Sequence, residues 1–207
     1  RLEIGGSFDD LGRAPLSDGR TVDLHVVPGM IGYTHFVTGA VPEHADLGWS
    51  AVVNPHVHAL YASIFPSPKH AREDEIPVHF NDLWMQYGGR PMAPWSSHEG
   101  GTDYTYCLGA ENATGAYANG LAYSLEHEEL LGRPTTVAIG PGEELGHVYA
   151  TLACPYDEGV LDRGVSRIEP TSGGIDVIPA SGGAVRLDVE AEFDSLRELV
   201  EAMEEAR

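Results

Sequence analysis

Glycine and proline cut this chain into short pieces, and that punctuation restricts the fold more than any other feature. There are 25 Gly and 14 Pro in 207 residues. Turn signals stand at Gly5-Gly6, Ser17-Asp18-Gly19, Pro28-Gly29 and Asn54-Pro55. Between such breaks the chain alternates or runs apolar, as a half-buried strand does. Arg20–Val27, Tyr33–Thr38, Trp49–Val53, Leu60–Phe65 and Ile76–Tyr87 read as strands, and 66–75 as an exposed loop. Tyr104–Leu108, Thr135–Ile139 and Glu144–Cys154 follow, with Pro141-Gly142 in a type II turn. Ile175–Ile178 and Ala184–Val189 read as a hairpin, while 121–131 fits a helical turn or a strand equally.

The end has a different period. Ser195 to Glu198 matches a capping box, and Phe193, Leu196, Val200 and Met203 share one helical face. A C-terminal helix over Ser195–Ala206 is expected. Many short strands with one terminal helix predict a mainly β, antiparallel β-sandwich in a single domain over 1–207. The alternation of strands and helices in a dinucleotide-binding fold is absent, as is its Gly-rich loop.

Charge narrows the partners. The net charge is −20, and Lys69 is the sole lysine. Phosphate backbones and anionic membranes need a basic surface, so neither nucleic acid nor membrane is expected as partner. No apolar run is long enough to span a bilayer. No leader pattern follows Arg1, and Cys107 and Cys154 read as buried thiols. Together these predict a cytoplasmic protein.

Ten histidines invite a metal reading. His56 and His58 would share one face of a strand, which is ligand geometry. A metal-dependent β-barrel enzyme built on them is one alternative. No acidic residue follows at the spacing that would complete such a site, and polar histidines beside a turn explain them as well. No serine-hydrolase elbow occurs.

The segment Leu83–Ala153 carries more. It contains Gln86-Tyr87-Gly88-Gly89-Arg90 with Pro94-Trp95, then Tyr106-Cys107-Leu108-Gly109-Ala110-Glu111-Asn112, then Ile139-Gly140-Pro141-Gly142-Glu143-Glu144 with His147. In that order these pieces resemble the C-terminal half of the galactose mutarotase (aldose 1-epimerase) family. The resemblance implies a sugar substrate, an incomplete N-terminal part of the supersandwich, and pairing with a second copy or membership of a longer polypeptide. It implies Glu111 as catalytic base and His35 as the nearest substitute for the family's acid histidine. Trp84 and Trp95 would stack on the sugar, and Gln86 and Arg90 would bind its hydroxyls. Core packing explains the two tryptophans equally, and a solvated turn explains Arg90. A carboxylate and an acid suffice for anomer exchange, so no cofactor or metal is expected. A sugar-binding module of the same fold, without catalysis, is the other alternative.

Overall fold

The structure is a computed structural model, and it describes residues 1–27, 32–88, 106–171 and 174–187. In chain order the strands are β1 (Ala14–Pro15), β2 (Thr21–Val22), β3 (Thr34–Ala40), β4 (Leu47–Asn54), β5 (Ala59–Pro66), β6 (Phe80–Tyr87) and β7 (Tyr106–Ala113). They continue with β8 (Glu129–Leu130), β9 (Arg133–Pro134), β10 (Ala150–Pro155), β11 (Val165–Thr171), β12 (Gly174–Pro179) and β13 (Val185–Leu187). Among the described residues one α-helix occurs, α1 (Leu121–Glu126). The chain is mainly β with antiparallel sheets, as the punctuation predicts. The expected C-terminal helix over Ser195–Ala206 lies outside the described residues.

Two compact units divide the chain. The first comprises Arg1–Val37 and Asp82–Glu111, the second Thr38–Asn81 and Asn112–Arg207. One three-stranded sheet has the order β3-β6-β7.

In the first unit, the N-terminal segment covers one face of that sheet. β1 and β2 pair around a turn in which Gly19 takes a positive φ and Arg20 bridges Asp18. Leu2, Ala14 and Leu24 then pack with Met85 and Tyr87, flanked by Leu16, Val37, Leu83 and Leu108. Successive strand residues point to opposite faces. Leu83, Met85 and Tyr87 therefore line the covered face, and Asp82, Trp84 and Gln86 the other. Each fully buried side chain of this size contributes about 1.5–3 kcal/mol relative to exposure.

The second unit packs one three-stranded sheet on another. β5 is central in the order β10-β5-β4, and β12 is central in β11-β12-β13. Leu60, Ala62 and Ile64 of β5 join Leu152 and Leu47, and meet Ile168, Ile175 and Val177 of the second sheet. Sheet-on-sheet burial of alternating residues is the packing a β-sandwich uses. On the reverse face Phe65 packs with Val41 and Val78. Gly48 stands directly opposite Phe65, and a Cβ there would run into the ring.

Several sequence expectations shift in extent. Arg20–Val27 is a strand only at β2, because Leu24 bonds back to Leu11 instead of to a partner strand. Thr135–Ile139 is not a strand. Thr135 is buried, and its hydroxyl donates to the carbonyls of Ser124 and His127. The strand expected from Glu144 starts only at Ala150, since Gly146 is tied to Asp74 and Ile76 by loop hydrogen bonds. Pro141-Gly142 does form the expected turn. Gly142 has φ 80°, and the Glu143 carboxylate accepts from the Gly140 amide at 2.7 Å. The ambiguous stretch 121–131 resolves into α1 followed by the first strand of a hairpin. Leu131 and Gly132 form its tip, both at positive φ. A leucine in that left-handed region costs about 1–2 kcal/mol.

Candidate functional site

The strongest juxtaposition of chemically active groups lies on the face of β6 and β7 opposite the core of the first unit. Gly109 of β7 sits beside Trp84 of β6, since a Cβ at 109 would stand 3.3 Å from the Trp84 Cβ. The same Cβ would lie 2.6 Å from the Glu111 Oε1. Glu111 therefore folds its side chain back along its own strand over Gly109 and toward Trp84. Glycine is required here because the carboxylate occupies the space a side chain would fill. The Glu111 side chain is exposed, and among the described residues it makes no hydrogen bond or ion pair. Trp84 is half-buried.

Gln86 lies farther along this face but is fully buried. Its Oε1 accepts from the Thr34 hydroxyl at 2.5 Å, and its Nε2 donates to the Gly88 carbonyl at 3.0 Å. The amide is used within the chain and holds the end of β6 to β3. Direct contact with a sugar, expected from the sequence, is not available to it in this arrangement. Arg90 and Trp95 lie outside the described residues.

His35 is on the other side of the sheet. Its Nε2 accepts from the Leu2 amide at 3.4 Å, and its ring stacks on Tyr33 with centroids 5.8 Å apart. Leu2 belongs to the core that Leu83, Met85 and Leu108 line. Glu111 sits at odd spacing from Leu108 and over the Trp84 side. The structure thus places the expected acid and base on opposite faces, and they do not form a pair. Burial, with the positive charge of Arg1 adding to it, holds the His35 imidazole below the ordinary histidine range. At neutral pH the ring is then uncharged and accepts a hydrogen bond, the wrong state for a general acid.

One residue escaped the sequence reading. Asp82 alternates with Trp84, so it shares the Trp84–Glu111 face, and it is buried. Its signal was its two-residue spacing from Trp84 in the strand expected over Ile76–Tyr87.

The histidine pair gives a different result from the expectation. His56 and His58 lie in the turn between β4 and β5, not on a strand. The His56 amide donates to Asn54, whereas His58 takes φ 49° and meets the Tyr156 ring edge-on. Among the described residues no three His, Cys, Asp or Glu side chains are grouped to hold a metal ion. Glu143 and His147 of the resembling segment are also separate from Glu111 in role. Glu143 closes its own turn, and His147 stacks on Tyr149 in an exposed stretch. Among the described residues no helix is long and apolar enough to cross a membrane. No protein-family model, no curated protein and no solved structure matches this chain.

Proposed function

We propose that the chain is a carbohydrate-binding protein whose binding surface is the Trp84–Glu111 face of the first unit. One observation carries this reading: the side chain of half-buried Trp84, at its Cβ, and the exposed Glu111 carboxylate, without a described partner, both stand against Gly109. A pyranose offers an apolar face of C–H groups and a rim of hydroxyls. The indole packs against the former. The two carboxylate oxygens accept hydrogen bonds from the latter. The test is saturation-transfer NMR with a panel of free aldoses on the wild type and Trp84→Ala. Saturable binding to at least one sugar, lost in the variant, supports the reading. A panel in which no sugar binds overturns it.

A second reading is an aldose 1-epimerase-like isomerase. It is favoured by Asp82, which puts a second carboxyl on the face of Glu111 and so removes the need for His35. Glu111 takes the proton of the anomeric hydroxyl, and an acid protonates the ring oxygen. The ring opens, C1–C2 rotates, and closure on the other carbonyl face reverses both transfers. Loss of the base in Glu111→Gln lowers the rate on the order of 10²- to 10⁴-fold. Polarimetry of sugars that bind decides it: Glu111→Gln and Asp82→Asn lose activity and His35→Gln keeps it. A wild type that accelerates no sugar leaves the binding reading alone.

A further inference from the structure

In the second unit, α1 is turned inside out. Ser124 is its buried residue, whereas Leu121 and Leu125 are 70% and 57% exposed. An ordinary surface helix buries its apolar stripe and exposes its polar one. The inversion is fixed by hydrogen bonds. The Ser124 hydroxyl donates to the Ala116 carbonyl at 2.8 Å, and the Thr135 hydroxyl holds the carbonyls of Ser124 and His127. Rotation that would hide the leucines breaks this frame. The hairpin that follows repeats the pattern, with Leu131 at its tip 52% exposed and in a strained left-handed conformation. Spaced four apart, Leu121 and Leu125 share one side of α1, and an apolar side held outward in this way fits a surface that meets another molecule.

Charge selects the occupant. Glu126, Glu128 and Glu129 lie between Leu125 and Leu131 in sequence and are all exposed. The nearby cation, Arg133, is committed to Glu43 and to the Val41 carbonyl. A second copy would bring the same three acids and a net charge of −20. The chain's own amphipathic end carries Glu198, Glu201, Glu204 and Glu205 against Arg197 and Arg207. Both are repelled. We propose that Leu121, Leu125 and Leu131 dock a basic amphipathic helix of another protein. Its apolar stripe covers the leucines and its Lys or Arg residues meet the three glutamates.

The probe is a synthetic helical peptide of leucine and lysine, with leucine on one face, titrated by fluorescence anisotropy into the full chain. A twin peptide with glutamate in place of lysine is the control. Saturable binding of the basic peptide alone is expected. It should weaken at least tenfold in the Leu121→Ser/Leu125→Ser variant, whose circular dichroism stays unchanged, and also in the Glu126→Gln/Glu128→Gln/Glu129→Gln variant. Absence of binding overturns the proposal. Equal binding to the serine variant overturns it too, because attraction to a chain of this charge then explains it. Sedimentation showing a dimer that the serine substitutions dissolve assigns the surface to a second copy. Tighter binding of a peptide of residues 190–207 assigns it to the chain's own end. Either outcome rejects a basic partner.

Discussion

The two faces of β6 in the first unit share a backbone and differ in nearly everything else. On one side Met85 and Tyr87 are fully buried against Leu2, Ala14 and Leu24. On the other, Trp84 is half-buried, Gln86 and Asp82 are buried polar groups, and the neighbouring Glu111 is exposed. The first face is apolar and holds the unit together. The second buries polar side chains, which cost free energy unless hydrogen-bonded and so seldom arise from packing alone. A two-residue period thus separates a structural face from a chemical one. It also puts His35 on the wrong side to work with Glu111.

The largest effect should come from the apolar face. Met85→Ala removes a buried side chain and leaves a cavity, and about 2–5 kcal/mol of stability should be lost in urea denaturation. A change below 1 kcal/mol would show that this face is not the core. The pH dependence of the same face follows from Tyr87. Burial pushes its phenol up to about 12 from 10.0. Folding therefore favours the protonated phenol. Its stabilisation is complete below pH 10, and is lost as the pH rises from 10 to about 12. Tyr87→Phe should flatten this alkaline loss, measured as the midpoint of urea unfolding against pH. A profile unchanged by the substitution would remove Tyr87 as the cause.

The chemical face should respond in binding more than in folding. Trp84→Ala should weaken sugar affinity on the order of tenfold or more, as truncation of a central aromatic contact does. Calorimetric titration checks it. The smallest effect is expected for the stability of Glu111→Gln, within about 0.5 kcal/mol of wild type, because the side chain is exposed and makes no described bond. A larger loss would mean that the carboxylate holds the fold together.

Much of the β architecture was readable from local pattern. Trp49–Val53 and Leu60–Phe65 fall inside β4 and β5, and the hairpin of β12 and β13 was marked by its Gly-rich tip. What escaped were segments whose partners are distant or unlike strands. Thr135 has strand propensity, but its hydroxyl and amide are taken by the 124–128 backbone. Residues 121–131 fitted a helical turn or a strand equally, and the Ser124 hydroxyl bond to the Ala116 carbonyl is one of the contacts beyond the segment that accompany the helical outcome. The site was half legible. The resemblance carried by Leu83–Ala153 pointed to Trp84 and Glu111, but their adjacency depends on how β6 meets β7, and strand pairing is not written in either strand alone. The same missing register made His35 look available to Glu111.

The opposition of the two faces is tested most directly by one titration. The tightest-binding sugar of the panel is followed by NMR chemical shift on wild type, Glu111→Gln and His35→Gln. If the Trp84 face is the binding surface, Glu111→Gln weakens affinity severalfold or more and shifts move around Trp84. His35→Gln then matches wild type, with Leu2 and Tyr33 unmoved by sugar. If instead His35→Gln abolishes binding while Glu111→Gln is silent, the sugar sits on the covered face, and the site has been placed on the wrong side of the sheet.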